Sequence, residues 1–480
     1  MRRNDSDDYD EYYDDYYEYE DYEEPQPYFL STRDLIFYCL AFMTPAATTL
    51  IYAKAQTAAH GALAGSYLVA LVLVFLTLLS YRRLSRAFHE GGSVFSYTGH
   101  GIHRRAGLFT GWAAILFYLT LASSFFMIGA DTAATMFSPV PYMFWLILIA
   151  VVSGVIVLFG QRLSSLAVTV ITLGVIGMTA IYILVCFISA SKGVAPEGSS
   201  LRTAFAGTEA GLGNVMSGAA LACLSFLGFD SVTTLTEETE HAKRSTGKAM
   251  AIACACAAAL FFFQALASAV IAPDYALLDP SGAMAVIAGV AGGAPMQALL
   301  SLSVILASFA IGIAGVTAAS RMLGIMLNEA GAGRSRGNHS ADGSLLDDLF
   351  PQTGAPPRNV IICFVAAVLI ALFMPGRDFA LAFDLARFAG ILCFMLVNAA
   401  SLIFFWFKKN DQAYVRSLII PAAGFLASLW IWINIDPHSF GIGVIFALVG
   451  VIIIAASFLY ERLVFGAAPA GEPSERNDYE

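Results

Sequence analysis

Apolar residues fall in long uninterrupted runs over most of this chain. The runs lie at about 35–53, 61–80, 107–131, 141–160, 164–189, 213–236, 247–272, 297–326, 359–375, 380–407, 416–435 and 440–464. A helix needs roughly 20 apolar residues to cross a bilayer. The pattern therefore predicts an all-α membrane protein with about twelve transmembrane helices. The runs longer than about 25 residues fit tilted or bent spans.

The polar segments between the runs carry a one-sided charge. With the N-terminus inside, the inner segments hold 21 Lys and Arg and the outer ones four (Lys54, Lys192, Arg202 and Arg377). Cytoplasmic loops are enriched in these residues, so both termini are expected in the cytoplasm and the protein in the inner membrane. Arg387 falls within a span. The first apolar run has no cleavage-site pattern after it and is read as a retained helix.

Composition adds one feature. The chain of 480 residues is 58% hydrophobic and 13% charged, about half the charge of a soluble domain. Its net charge of −10 belongs to the N-terminal tail: Asp5–Glu24 hold seven Asp, five Glu, seven Tyr and Ser6. Residues 1–30 are read as a disordered, acidic, Tyr-rich cytoplasmic tail, 31–466 as the membrane domain, and 467–480 as a second cytoplasmic tail. The seven cysteines all lie in apolar runs without metal-ligand spacing, and read as small buried hydrophobes. His100 and His103 sit beside Arg104 and Arg105 and read as a solvated loop.

Two spans are interrupted near mid-depth. In the first, Thr44-Pro45-Ala46-Ala47-Thr48 places a residue with no backbone donor among hydroxyls. In the sixth, Phe226-Leu227-Gly228-Phe229-Asp230 places a permissive glycine beside an ionisable group. Unwound backbone at this depth is tolerated where it is buried in protein or lines a wet cavity. Paired breaks five helices apart point to a transporter's substrate site, with free N–H groups suited to a carboxylate and free carbonyls to an ammonium or sodium ion.

The motifs around these breaks resemble a known family. Residues 222–239 (ACLSFLGFDSVTTLTEET) are similar to the sixth-helix signature of the amino acid–polyamine–organocation permeases. Residues 87–97 (AFHEGGSVFSY) with Gly111-Trp112 resemble that family's loop and third-helix start. Thr44-Pro45 and residues 65–71 (GSYLVAL) look like the bacterial putrescine importer branch. The segment from Asn328, with residues 353–359 (TGAPPRN), resembles the loop after the eighth helix. The likeness spans about residues 33–464. It implies a LeuT-like five-plus-five inverted repeat plus two extra helices, with repeat one at about 33–190, repeat two at about 210–407 and the extra pair at about 416–464. It also implies ion-coupled, often proton-coupled, uptake of an amino acid or amine. Diamine-handling members tend to place aspartates where Leu50 and Phe117 stand here, which weighs against a dicationic substrate. The fifth-helix lysine of several cation-independent relatives is absent around Thr172.

Several residues are candidates for the site. Asp230 has three candidate roles: binding a substrate amine, carrying a coupling proton, or capping the lower half of the sixth helix. Glu237 and Glu238 lie two turns on and could pair with Arg82, Arg83 or Lys243 as an inner gate. Arg387 is a charge at costly depth; it could hold a substrate carboxylate, replace a coupling cation, or pair with Asp384 three residues earlier. Tyr118 and Phe226 are candidate pocket aromatics, which attract an ammonium by about 0.5–2 kcal/mol. Ser308 is a candidate oxygen ligand.

Nothing in the sequence calls for a cofactor, a metal or nucleic acid. Ser245-Thr246-Gly247-Lys248 lacks the glycine spacing of a phosphate-binding loop, and no nucleophile elbow appears, so a pump or an enzyme is not expected. The expected partners are a small amino acid or amine, a coupling proton or sodium ion, and membrane lipid; the tail's partner is unspecified. A solute sensor on the same fold is the alternative from another class.

Overall fold

The computed structural model describes residues 29–88, 93–196, 199–207, 211–274, 282–331, 355–374, 378–435 and 437–465. Both predicted tails, apart from Phe29 and Leu30, lie outside the described residues.

The described chain is helical almost throughout. The elements are α1 (Thr32–Met43), α2 (Ala47–Ala58), α3 (Leu63–Ala87), α4 (Val94–Gly101), α5 (Arg104–Met136), α6 (Tyr142–Leu158), α7 (Gln161–Ser191), α8 (Leu201–Ala206), α9 (Leu212–Ala222) and α10 (Ala242–Ile271). They continue as α11 (Ala283–Gly331), α12 (Pro357–Phe373), α13 (Phe379–Leu402), α14 (Ile420–Ile433) and α15 (Pro437–Phe465). Two 3-10 turns, Cys223–Phe226 and Ser231–Glu238, complete the span begun by α9. Short π-helical turns, Ile403–Lys408 and Val415–Ile419, flank the loop between α13 and α14.

Among the described residues, nine helices are long and apolar enough to cross a membrane. The pair α1 and α2 passes the same test as one span bent by 44°. Two further apolar helices, α6 and α12, are 17 residues long. The outward faces are apolar: Leu166, Val170, Leu173 and Leu184 of α7 and Ile445, Leu448 and Ile452 of α15 are exposed. Such faces need a lipid solvent, and the chain is a multi-pass membrane protein. α5 is the central helix, buried along almost all of its apolar length, whereas α15 is mostly exposed; α5 packs most extensively on α11 and α13.

Local chemistry explains the breaks. Ser31 and Asp34 form a reciprocal capping box that starts α1. The helix stops where Pro45 has no donor, and Thr44 takes φ +30°. Below Gly228, the β-branched run Val232-Thr233-Thr234 is a poor α-helix former. Thr234, Thr236 and Thr239 donate their hydroxyls to carbonyls three or four residues back. The lower half of the sixth span is thus 3-10, where the sequence suggested a continued helix. α11 is kinked at Gly293 (φ +72°), next to Pro295.

Two other expectations change. His100 is exposed as expected but lies in the last turn of α4 and not in a loop: its Nδ1 donates to the Ser96 carbonyl at 2.9 Å, and its ring stacks on Phe88 at 5.1 Å. Six cysteines are buried as expected, but Cys256 is exposed on the outer face of α10.

Candidate functional site

The two breaks meet. Gly228 has φ +92°, and a Cβ added there would lie 2.8 Å from the Cβ of Phe42 in α1. Cys39 of α1 donates its thiol to the Phe229 carbonyl at 3.3 Å. Glycine serves both needs here: its φ is open to it without penalty, and its missing side chain lets α1 close on the turn.

One hydroxyl from a third helix ties the breaks together. Tyr67 of α3 is fully buried, and its OH lies 3.0 Å from Thr48 Oγ1 in the first break and 3.0 Å from Ser225 Oγ in the second. A second α3 tyrosine, Tyr81, donates to Asp230 Oδ2 at 2.9 Å. Asp230 is 2% exposed, and its Oδ1 has no hydrogen-bond partner among the described residues. Its side chain makes no capping bond to the 3-10 turn below it, so the capping role expected of it is not the one it has. Sequence reasoning did not single out Tyr67 or Tyr81 as site residues; their partners in the sixth span lie 158 and 149 residues away.

Between the breaks lies a cavity of about 20 Å³ bordered by Thr44, Ala47 and Leu50 on one side and Leu224, Ser225 and Leu227 on the other. That is room for about one water, so a solute can enter only if the walls separate. Thr44 and Ala47 line this cavity, while Ala46 points away, into a small cluster with Ile128, Val175 and Val304. Pro45 is buried at the bend itself. Tyr118 and Phe226 are fully buried behind the lining: Tyr118 packs edge-on to Phe42 at 5.7 Å, and Phe226 to Phe261 at 5.3 Å. Ser308 bonds its own helix at the Val304 carbonyl and sits against Gly129 of α5, outside the cavity lining.

Each end of this region has a different character. At the basic end, Arg321 of α11 holds Glu238 in a two-pronged pair, Nε–Oε1 2.6 Å and Nη2–Oε2 2.8 Å. The same Nη2 donates to Gln161 Oε1 of α7 at 2.6 Å. The pair is therefore with Arg321 and not with Arg82, Arg83 or Lys243: Arg83 reaches Asp411 at 2.9 Å, and Arg82 packs along Gly247. Glu237 is exposed beside the latch. Leu30 is hydrogen-bonded on both sides to this segment, its N–H to the Glu238 carbonyl and its carbonyl to the Glu240 N–H. Leu30, near the first described residue, is thus bound beside the Arg321–Glu238 latch.

At the opposite end a vestibule of about 500 Å³ opens between α2, α5, α11 and the start of α13. Leu50 borders both this vestibule and the small cavity. A leucine separates the two spaces.

Arg387 lies on the stripe of α13 that faces the breaks. Phe383 lines the small cavity, Gly390 meets Phe117 and Leu227, and Phe394 meets Phe229 and Tyr81. The guanidinium turns sideways to Asp384, Nη1–Oδ1 2.5 Å, and Ser439 of α15 donates to the other Asp384 oxygen at 3.3 Å. The intrahelical pairing is present; Arg387 Nε has no partner among the described residues.

These features describe a membrane helix bundle built around two broken spans. A family model described as amino acid permease matches residues 35–465, and the chain belongs to that family. The low-affinity putrescine importer PlaP of Escherichia coli (strain K12) is 24% identical over 438 residues, covering 89% of this chain and 92% of that one. The protein of the same name from Escherichia coli O157:H7 matches to the same extent. A solved structure of a Na+-coupled sialic acid symporter, substrate-bound and outward-open, has a TM-score of 0.54 at 14% identity and covers 83% of this chain and 88% of its own. That likeness shows the fold, which is LeuT-like. Family and fold are those of secondary transporters rather than enzymes.

Proposed function

We propose that this chain is a secondary active transporter that imports an amino acid or small amine across the inner membrane, coupled to an ion, with the proton as first choice. It works by alternating access around the broken first and sixth spans, with both termini cytoplasmic. On this reading α6 and α12 also cross the membrane, making twelve spans. The observation that carries the proposal is the meeting of the two breaks at Gly228 and Phe42, joined through Tyr67, between a latched end and an open one.

The roles follow from position. The free backbone groups around Thr44–Thr48 and Ser225–Phe229 bind the solute once the cavity widens. Asp230 binds an amine or carries the coupling proton. Arg387 takes a carboxylate if it exchanges Asp384 for the substrate. Arg321 and Glu238 form the inner gate. Ser308 and Glu237 keep lesser claims, as a coupling-ion ligand and a gate residue. A second reading, a putrescine-like polyamine importer or exchanger, is favoured by the putrescine importers among the relatives.

The test is uptake of labelled putrescine and a panel of amino acids into proteoliposomes, under imposed pH or sodium gradients. Uptake driven by one gradient and abolished by its ionophore is expected. Saturable binding with no flux under any gradient would sink the transport reading in favour of a sensor. In the Arg387→Ala variant, selective loss of zwitterion uptake identifies a carboxylate anchor; equal retention of both solutes makes Arg387 structural.

A further inference from the structure

The vestibule has its own chemistry, separate from the site between the breaks. Its floor is apolar, where Leu50, Ile128 and Val304 meet. Its wall along α5 carries Asp131, Thr132 and Thr135, and facing it on α11 stand Gln297 and Ser301. Asp131 is the only charged side chain among the described lining residues. Lys54 of α2, a turn beyond Leu50, lies outside the lining.

The hydroxyls reinforce that sign. Thr132 donates its proton to the Ile128 carbonyl at 2.8 Å, and Thr135 to the Asp131 carbonyl at 2.9 Å. With their protons spent on the helix, both oxygens face outward as acceptors. A carboxylate flanked by two hydroxyl acceptors has nothing to offer an anion. It suits a donor-rich cation, and an ammonium has three donors and a positive charge. The space of about 500 Å³ is ample for a small organic amine.

We infer that this vestibule is an outer binding subsite for the ammonium group of an organic amine, centred on Asp131, from which the amine passes Leu50 to reach the breaks. The inference rests on the transport reading and narrows its substrate class. Asp131 is exposed, so the subsite is weak and salt-sensitive, and its work is to concentrate cations at the mouth.

The test compares wild type, Asp131→Asn and Asp131→Glu, with putrescine and a zwitterionic amino acid as probes. KM for putrescine is read in proteoliposomes, and putrescine binding is read separately by thermal stabilisation in detergent. An exposed ion pair supports about a two- to five-fold change. Asp131→Asn should raise KM and weaken binding for putrescine by that factor at low salt, with a smaller change for the zwitterion. Asp131→Glu should restore both, and the difference should shrink at high salt. An unchanged putrescine affinity, an equal change for both probes, or an effect only on sodium dependence would each overturn the subsite. Absence of flux for every solute in wild type would defeat the transport reading instead, and the binding measurement would still decide on Asp131.

Discussion

Replacing Gly228 with alanine tests the contact on which the functional reading stands. The residue has φ +92°, where an L side chain costs about 1–2 kcal/mol. The new methyl would also lie 2.8 Å from both Cβ and Cδ1 of Phe42. Phe42 is 3% exposed and packed edge-on to Tyr118, so it has nowhere to swing, and overpacking of this kind costs about 1–3 kcal/mol. The two penalties have different origins and sum to about 2–5 kcal/mol. The assay is the unfolding midpoint in detergent at fixed scan rate, for Gly228→Ala, Phe42→Ala and the double variant. Phe42→Ala alone removes a buried ring, at about 3–5 kcal/mol. In the double variant the contacts with the ring are gone, while the 2.8 Å approach to the Cβ of residue 42 and the backbone penalty stay. The cycle should therefore show a favourable coupling of about 1 kcal/mol, the ring's share of the overpacking. A Gly228→Ala protein as stable as wild type, or strict additivity of the two changes, would mean that the breaks do not touch as described.

Arg321→Ala removes the cation from Glu238 and Gln161 together. Losing one partner of a buried pair costs about 3–5 kcal/mol, and because the Glu238 side chain is 20% exposed the lower end of that range is expected. The unfolding midpoint measures it, and a loss indistinguishable from zero would show that the latch is solvated. Asp411, in the loop before α14, is held below the usual carboxylate range by the Ser417 hydroxyl, then the Ala413 N–H, with Arg83 and Arg416 adding their charges. A lowered native value makes its stabilisation complete above the ordinary carboxylate range and lost as pH falls through the native one. The midpoint difference between wild type and Asp411→Asn should be present at neutral pH and shrink below about pH 4; a difference that ignores pH would refute the assignment.

The parts of the site that were readable in the sequence are the local ones. Pro45 and Gly228 act on their own backbone, so the breaks and most span limits could be placed from the chain alone. The partners of the breaks could not. Tyr67 lies inside an apolar run and Tyr81 just past its end, and their roles exist only once α3 packs against the sixth span. Arg321 was countable as one more charge near the end of a span, yet its pairing with Glu238 needs α11 and the 3-10 turn to be neighbours. The vestibule was invisible for the same reason, since its lining comes from four helices. The short helices α4 and α8 were missed because neither is long enough to show a period, and the 3-10 form of residues 231–238 because threonine-rich sequence is ambiguous between a strained helix and none.

The arrangement on α13 says what the last two helices contribute. A lone guanidinium at this depth would be costly, and Arg387 stands on the stripe that faces the breaks, between Phe383 and Gly390. Asp384 neutralises it from a neighbouring stripe, the one that meets α15 through Ser439. Phe388, next along the helix, is wedged against Trp432 of α14 and Phe440 of α15 at 5.0 and 5.5 Å. The final pair therefore fixes the Asp384 side of α13 while the Arg387 side stays toward the broken spans. If a carboxylate is to displace Asp384 from Arg387, Asp384 must keep a partner afterwards, and the Ser439 hydroxyl is already placed to hold it. That hydroxyl gives Asp384 a hydrogen bond but no charge. The sum over Arg387, Asp384 and the solute is therefore the same in both arrangements only for a zwitterion, whose ammonium offsets its carboxylate. A reversible exchange of this kind requires a zwitterionic solute and not a simple anion.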